Sequence, residues 1–394
     1  MNTNCVITQA SIPVGLEIDF FDKLFKKHGF EIRLCGGAVR DYLLGIMPTD
    51  IDFCTNATPD DMFKMAYEES HYFVRIISTG LSHGTLTFVT PTGNFEITTL
   101  RKDLETDGRH AVVQFTDSWQ DDAARRDFTM NAMMMDAAGN VYDWFNGRSD
   151  LRQGIVRFVG NADKRIDEDA LRMVRFCRFS SRFAREYPEH DGTEALKRKK
   201  QLIKNVSPER VWKEIRAAAK NGPEKFRRFV WMMEDLLKEM GITLSERSLY
   251  DCFGLGSKYL TKFPTFAMAA YMNKEETAYF FEKFKLSTVE RLEMFFFSKH
   301  KANPFTKESA EDAVVDGVNK EWVAATLEFQ MNHDLANYIL SWEVPIFPVS
   351  GQDLLDVGVK PGPKMGSLLR DLKNEWIASR FTLTEEELIA TINL

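Results

Sequence analysis

The stretch LCGGAVRDYLLGIMPTDIDFCT, residues 34–55, brings together residue types that bind phosphate groups and metal ions. Gly36 and Gly37 stand between a predicted strand and a predicted helix, where backbone N–H groups and a helix N-terminus can approach an anion closely. Arg40 follows one helical turn later and can reach the same anion. The stretch therefore predicts a binding site for a phosphate group.

Two aspartates follow the glycine turn. Asp50 and Asp52 are separated by one residue on a predicted strand over residues 50–55, so we expect both side chains on one face. Two such carboxylates suit a pair of divalent ions about 3.5–4 Å apart, and their hard oxygen ligands are those that Mg²⁺ prefers. Glu96, on a later predicted strand, is a candidate third carboxylate. The alternative is a strand-edge turn for the aspartate pair and a solvated Glu96.

A second group of charged residues lies in RRDFTMNA. Arg125 and Arg126 offer two cations for phosphate, and Asp127 can accept hydrogen bonds from ribose hydroxyls, which would favour ribonucleotides over deoxynucleotides. The alternative is a helix-capping aspartate with local arginine pairs. Which of the two arginines contacts phosphate is left open by the sequence.

A third group lies in EDALRMVRFCRF, where Asp169, Arg172, Arg175 and Arg178 recur every three residues. This spacing predicts that they share one broad face of a helix. A carboxylate beside a guanidinium presents acceptors and donors in fixed geometry, which is sufficient to read the pairing edge of a base. For an isolated helix the alternative is a set of solvated ion pairs.

The elements that must position these residues change character along the chain. Up to about residue 140 helical and strand periods alternate, with strands predicted over residues 30–34 and 50–55 and in HGTLTFVTP and NFEITTLR. From about residue 166 the pattern is helical almost throughout. The sequence therefore predicts a mixed-sheet head followed by an all-helical body.

Charge is unevenly distributed over the 394 residues. The net charge is −7, yet residues 164–228 hold 19 lysines and arginines against 10 aspartates and glutamates. A basic middle between acidic ends suits a selective polyanion site, although a solvated helical surface is the alternative. The five cysteines form no CxxC pair, and no signal peptide or long apolar run is present. We expect a cytoplasmic protein without structural zinc and without a membrane partner.

Five segments between residues 36 and 215 carry a resemblance to a known family. They are GGAVRDYLLGIMPTDIDFCT, RRDFTMNA, DWFNGRSDLRQGIVRFVG, EDALRMVRFCRF and ERVWKEI. In this order they resemble the motifs of the class II tRNA nucleotidyltransferases (CCA-adding enzymes) and the bacterial poly(A) polymerases. The segment VSGQDLLDVGVKPGPKMGSLLRDL near the C-terminus resembles the tail of many bacterial CCA-adding enzymes and favours that branch.

The resemblance implies an α+β protein with a nucleotidyltransferase-type mixed-sheet head over residues 1–140. A neck with a hinge and nucleotide-recognition helices would span residues 141–230, and a helical body and tail that bind tRNA would span residues 231–394. The implied activity is template-independent addition and repair of the CCA end of tRNA from CTP and ATP, with two Mg²⁺ ions. The partner would be the tRNA 3′ end, with its acceptor stem and elbow. A poly(A) polymerase and a catalytically silent RNA-binding protein are the alternatives.

The resemblance also implies roles for individual residues. Asp127 would sense ribose, and the Glu168-Asp169-x-x-Arg172 element would act as an amino-acid template for C and A. Arg175 and Arg178 would meet the triphosphate. RKDLETDGRHAVVQF, with Asp103, Gly108 and Arg109, resembles the flexible loop that relatives adding only C lack, so we expect terminal A addition to be intact.

Overall fold

The structure is a computed structural model that describes residues 15–73, 75–106, 111–185, 190–244 and 257–392. It divides into two compact units, the first formed by residues 1–221 and 225–243 and the second by residues 222–224 and 244–394. This division is coarser than the predicted one into head, neck and body with tail, whose limits stay predictions.

The first unit combines strands and helices. Its elements are α1 (Gly15–Lys27), β1 (Ile32–Cys35), α2 (Gly37–Leu43), β2 (Asp52–Thr55), α3 (Pro59–Glu68), β3 (Arg75–Ile77), β4 (Thr85–Thr90), β5 (Gly93–Thr99), β6 (Arg101–Thr106), β7 (Ala111–Phe115), α4 (Trp119–Ala124), β8 (Met134–Met135), β9 (Val141–Tyr142), α5 (Gly147–Gln153), α6 (Ala162–Glu168), α7 (Leu171–Phe183), α8 (His190–Lys199), α9 (Pro208–Ala219) and α10 (Pro223–Glu239).

The second unit is helical wherever the structure describes it. Its elements are α11 (Ser257–Lys262), α12 (Pro264–Ala269), α13 (Lys274–Lys283), α14 (Thr288–His300), α15 (Lys307–Val315), α16 (Lys320–Phe329), α17 (His333–Ser341), α18 (Gly351–Asp356), α19 (Pro363–Ala378) and α20 (Glu385–Ala390). None of the helices described in either unit has the length and apolar character needed to cross a membrane. The predicted mixed-sheet head followed by helical regions is confirmed.

The head is built on a seven-stranded sheet in the order β3-β4-β5-β2-β1-β8-β9, while β6 and β7 form a separate two-stranded sheet. Strands β2 and β5 are parallel, and the other neighbouring pairs in the large sheet are antiparallel. Side chains alternate between the two faces of a strand. Phe53 therefore points to the face opposite that of Asp52 and Cys54.

The two faces of the sheet have different chemistry. On one face Phe21 of α1 packs against Phe53, Phe88 and Phe95, with ring centroids 5.2–6.0 Å apart. The other face carries a smaller core that includes Cys35, Cys54, Leu100, Ala132 and Met134. Because the first face is filled by aromatic rings, the polar residues of the head collect on the second face.

Two predicted boundaries are wrong. The predicted strand over residues 50–55 begins at Asp52, where the ladder with Glu96 starts, and Asp50 lies in a bend before it. Asp169 does not share a helix face with the arginines that follow it, because it is an extended residue between α6 and α7 (φ −153°, ψ 105°). Its carboxylate accepts from the N–H of Leu171, the first residue of α7 (3.0 Å).

Candidate active site

The glycine turn leads from β1 into α2. Gly36 has φ +67° and is the N-cap of α2, and its N–H donates to the carbonyl of Met133 (3.2 Å). A Cβ at Gly36 would lie only 2.9 Å from Nη1 of Arg126. Both the left-handed backbone and the close guanidinium therefore require glycine here.

The two arginines of RRDFTMNA are held by a single buried carboxylate on α4. Asp122 accepts from Nε of Arg125 (2.8 Å) and from Nη2 of Arg126 (3.0 Å). Burial opposes its charge, but the two guanidinium groups hold the pKa of Asp122 below its ordinary value. Within the described residues, the buried Nε of Arg126 has no hydrogen-bond partner. Arg126 thus lies beside the glycine turn with a buried Nε–H that has no acceptor among the described residues.

Carboxylates gather beside this turn. Asp52 and Glu96 are opposite each other in the parallel register of β2 and β5, so they share a face. Burial raises the pKa of Asp52 above its ordinary value, with the carboxylates of Glu96 and Asp50 adding to the shift and Arg126 opposing it. In the part of the chain that the structure describes, no group of three or more acidic, histidine or cysteine side chains is arranged to hold a metal ion.

Magnesium nevertheless suits this donor set. Mg²⁺ is commonly bound through one or two carboxylates, with substrate phosphates and water completing its shell, rather than by a closed protein cage. Asp50 and Asp52 provide two carboxylates one residue apart, and Glu96 lies opposite Asp52 in the register of β2 and β5.

Arg40 lies behind the glycine turn rather than at its surface, since only 6% of it is exposed. Its guanidinium donates to Asp41 (2.9 Å) and to Oδ1 of Asn131 (2.7 Å), and it stacks over Phe179 and Phe183 at 5.2 and 5.0 Å. Arg40 therefore contributes a fixed positive charge close to the turn, and its direct contact with an anion stays a prediction.

Both oxygens of the Asp127 carboxylate are hydrogen-bonded. One oxygen accepts from the N–H of Phe128 (2.8 Å) and from Nδ2 of Asn131 (3.0 Å), and the other accepts from Nε of Arg175 (2.8 Å). Burial would raise the pKa of Asp127, but Arg175 and Asn131 outweigh it and the pKa lies below the ordinary value. Its arginine partner lies 48 residues away, so the pairing is not the local one considered from the sequence.

Asp169 is fixed from two sides. Oδ1 accepts from the N–H of Leu171 at the start of α7 (3.0 Å), and Oδ2 accepts from Nη2 of Arg210 on α9 (2.8 Å). The residues around it line a cavity of about 230 Å³. Glu168, Asp169, Ala170, Ser207 and Arg210 are among them.

Arg172 lies in the first turn of α7, and three acceptors hold its side chain. Its guanidinium donates to Glu168, to the carbonyl of Arg165 (3.0 Å) and to the carbonyl of Arg125 (3.2 Å). The last bond joins α7 to the segment that carries the paired arginines. Arg172 and Asp169 are thus each held in place by other groups, and their separate anchors set their relative orientation.

The next two arginines of α7 share one anchor. Glu214 on α9 accepts from Arg175 (3.4 Å) and from Arg178. The ring of Phe179 lies 5.5 Å from the guanidinium of Arg175 and 4.3 Å from that of Arg178, within the range of cation–π attraction. Helix α9 therefore supplies the carboxylate that holds Arg175 and Arg178.

The predicted flexible loop is described only in part. The backbone of Asp103 pairs with Val113 in the two-stranded sheet of β6 and β7, next to a register shift. Gly108 and Arg109 lie outside the described residues, so their predicted role is unchanged.

Four residues that anchor the site were not identified from the sequence. These are Asp122, Asn131, Arg210 and Glu214. Asn131, Arg210 and Glu214 fall within segments that were recognised, RRDFTMNA and ERVWKEI, but no role was assigned to them. The spacing of Asp122 to Arg125 and Arg126 is that of helical ion pairs, three and four residues, and was the available signal.

A mixed sheet with acidic side chains on adjoining strands, a left-handed glycine turn beside an arginine and a helix bearing an arginine row together define a nucleotidyltransferase. The family model described as the poly A polymerase head domain matches residues 32–157. A mouse (Mus musculus) protein named CCA tRNA nucleotidyltransferase 1, mitochondrial, is 35% identical over 387 residues, covering 94% of this chain and 88% of the mouse protein. The chain belongs to the CCA tRNA nucleotidyltransferase family.

Two further comparisons agree with this assignment. The CCA-adding enzyme of Staphylococcus aureus (strain MRSA252) is 40% identical over 186 residues, which are 47% of this chain and 44% of that enzyme. The crystal structure of the Bacillus stearothermophilus CCA-adding enzyme in complex with CTP superposes with a TM-score of 0.75 at 25% identity and covers 97% of both chains. The family predicted from the motifs and the enzyme class are confirmed.

Proposed function

We propose that this protein builds and repairs the 3′-terminal CCA of tRNA, adding C, C and A from CTP and ATP without a nucleic-acid template. The observation that carries the proposal is that a carboxylate and a guanidinium three residues apart, Asp169 and Arg172, are each held in a fixed position by other groups: Asp169 by Arg210, and Arg172 by Glu168 and the carbonyl of Arg125. A side-chain pair of this kind can replace a template base. The CTP complex of the Bacillus stearothermophilus relative supports CTP as a substrate.

The triphosphate would bind at the glycine turn. The N–H groups at the start of α2 face an anion there, and Gly36 and Gly37 leave room for it. Arg126 is the better candidate for phosphate contact, because its Nη1 adjoins Gly36. The guanidinium of Arg125 is held by Asp122, and its backbone carbonyl accepts from Arg172. Arg40 would add positive potential from behind.

Asp50 and Asp52 would hold magnesium, with Glu96 on the same sheet face as a further acidic group. Bound magnesium lowers the pKa of the primer 3′-hydroxyl and neutralises charge on the triphosphate. The protein side chains position the 3′-hydroxyl, the α-phosphate and the pyrophosphate leaving group. Phosphoryl transfer of this type needs positioning and electrostatic stabilisation and no covalent enzyme intermediate.

Asp127 would accept a hydrogen bond from a ribose hydroxyl of the incoming nucleotide. Its low pKa keeps it an acceptor at neutral pH. Arg175 and Arg178, which Glu214 orients, would extend the positive surface from the base toward the triphosphate. The arrangement orders the site from phosphate at α2, through ribose at Asp127, to base at α7.

The tRNA would be gripped by its acceptor stem and elbow through the helical second unit. The helix start at Gly362 and Pro363, with Lys364 in the first turn, is a candidate for phosphate contact. A cytoplasmic location stays a prediction, and the mouse relative carries a mitochondrial designation in its name.

A poly(A) polymerase is the second candidate, because the matched head model carries that description. The names of the mouse and Staphylococcus relatives favour CCA addition. A silent RNA-binding protein would need none of the acidic residues beside the glycine turn.

The test replaces Asp52 by Asn. Asp52→Asn should abolish nucleotide incorporation into a labelled tRNA that lacks CCA, while tRNA affinity in a filter-binding assay stays unchanged. Asp60→Asn is the matched control, since Asp60 is an exposed head carboxylate outside the site. Incorporation by Asp52→Asn at the rate of the unmodified protein would refute the metal assignment.

A further inference from the structure

Asn131 occupies an unusual position between the two ends of the site. It ends a short 3-10 turn, Thr129–Asn131, and is 7% exposed. Its amide oxygen accepts from Nη1 of Arg40 (2.7 Å), and its amide nitrogen donates to Oδ1 of Asp127 (3.0 Å). Because arginine can only donate and a carboxylate can only accept, the two partners fix the orientation of the amide.

These two bonds complete a continuous polar chain. Arg40 and Asp41 belong to α2, Asp127 precedes the turn, Arg175 belongs to α7 and Glu214 belongs to α9. The bonds run in the order Asp41, Arg40, Asn131, Asp127, Arg175, Glu214 and Arg178. Asn131 is the one uncharged member of this chain. Removing it would break the chain between the phosphate end and the ribose end.

We propose that Asn131 is a positioning residue for ribose selection, coupling the buried guanidinium of Arg40 behind the glycine turn to the carboxylate of Asp127. This inference rests on the proposed function, in which Asp127 accepts from the ribose. Asp127 has two oxygens and limited acceptor capacity, so the bond from Asn131 sets which lone pairs remain for a nucleotide. An alanine would free Asp127 to rotate toward Arg175 and would leave a donor of Arg40 buried and unpaired.

Replacing Asn131 by aspartate distinguishes a role in positioning Asp127 from a role in folding alone. In Asn131→Asp the new carboxylate keeps Arg40 as a partner but presents an acceptor to Asp127, so the two acids favour sharing a proton. The charged groups that face this pair are Arg40 from α2 and Arg175 and Arg178 from α7. Asp41 and Glu214 lie one bond further out, behind those arginines, and Asp150 reaches the same turn through Thr129 (2.7 Å).

The sign of the pH effect follows from this pair. At low pH the shared proton lets residue 131 donate to Asp127, as the asparagine does. As pH rises the proton is lost, the two carboxylates repel and the geometry fails. Activity of Asn131→Asp relative to the unmodified protein should therefore fall as pH rises from about 6 to about 8.

Asn140 offers a matched control. Its Nδ2 donates to Oδ2 of Asp136 at 3.0 Å, the same contact at the same four-residue spacing, but on an exposed turn. Asn140→Ala and Asn140→Asp therefore remove an equivalent bond elsewhere in the first unit. Neither variant should change nucleotide selection or the pH profile.

The experiment measures kcat/KM for adding CTP and dCTP to a labelled tRNA that lacks CCA. Asn131→Ala should lower the CTP-to-dCTP ratio about tenfold, and Asn131→Asp should show the pH-dependent loss. An unchanged ratio in Asn131→Ala, or a pH-independent loss in Asn131→Asp, overturns the inference while leaving the proposed function standing. No CTP addition by the unmodified protein overturns both. If Asn131→Ala unfolds, Asn131→Asp decides, because Arg40 keeps a partner.

Discussion

Asp52 on β2 and Glu96 on β5 face each other in parallel register, although 43 residues separate them in the chain. Neighbouring strands are about 4.8 Å apart, so the two carboxylates repel unless a cation or proton intervenes. The raised pKa of Asp52, caused first by burial and then by Glu96, expresses that repulsion. The pairing ties the exposed Glu96 to the acidic group expected to hold magnesium.

This relationship predicts opposite effects of Glu96→Gln on stability and on activity. Removing one negative charge should raise the unfolding free energy of the metal-free protein by up to about 1 kcal/mol. Its melting temperature should rise slightly as a result. Incorporation should fall, and more Mg²⁺ should be needed for half-maximal rate. Glu31→Gln, at an exposed carboxylate just before β1, should change neither quantity. If the variant needs no more magnesium than the unmodified protein, Glu96 does not contribute to the metal site.

A pair of glycine substitutions isolates the role of the turn. Gly36 and Gly45 both have positive φ, +67° and +71°, so alanine strains the backbone at each position. Only at Gly36 would the new Cβ meet the guanidinium of Arg126, since nothing lies within 4 Å at Gly45. Gly36→Ala should therefore raise KM for CTP strongly, and Gly45→Ala should leave it unchanged. Equal kinetics for the two variants would contradict a phosphate site at this turn.

Base choice is expected to depend on Arg172. Arg172→Ala should admit UTP and GTP, because the donor edge beside Asp169 is lost while the acidic residues of β2 stay in place. Misincorporation is read from the products of single-nucleotide extension with each triphosphate alone. Arg198→Ala removes an exposed arginine of α8 that pairs with Asp163. It should keep full selectivity, and strict selectivity in Arg172→Ala would refute the template role.

The Asp127–Arg175 ion pair predicts a pH-dependent change in stability. Arg175 holds the pKa of Asp127 low in the folded state. Its contribution is therefore present above the unfolded pKa of about 3.9 and is lost as pH falls through the folded value. Arg175→Met should cost about 3 kcal/mol in unfolding free energy at about pH 7. The difference should shrink at about pH 2, well below the unfolded pKa.

Urea unfolding at both pH values measures this difference. Arg198→Met breaks an ion pair that is open to solvent and should change the unfolding free energy little at either pH. A destabilisation by Arg175→Met that is the same at both pH values would show that lost packing, and not the charge on Asp127, is responsible.

Local patterns were sufficient to predict the helices and strands around the glycine turn. The alternation of apolar and polar residues predicted the strands that became β4 and β5, and the turn at Gly36 was predicted between a strand and a helix. The prediction placed Asp50 on the strand because a two-residue period continues back to it. The ladder with β5, which begins at Glu96, sets the actual boundary, and such a partner is invisible to local pattern.

The anchors of the site depend on contacts between distant segments. Arg210 reaches Asp169 across 41 residues, and Glu214 reaches Arg178 across 36. The spacing of residues along one sequence does not show which residues of different helices are in contact. These roles were therefore not predicted. The arginine row itself was predicted, because a three-residue spacing within one helix is a local pattern.

The most direct test of the account is extension of a labelled tRNA that ends before CCA, read at single-nucleotide resolution with CTP alone, ATP alone or both. CTP alone should add two residues, and the mixture should add a third and then stop, because the protein side chains and not a nucleic-acid template choose each base. A long ladder with ATP alone would contradict this account and establish a poly(A) polymerase.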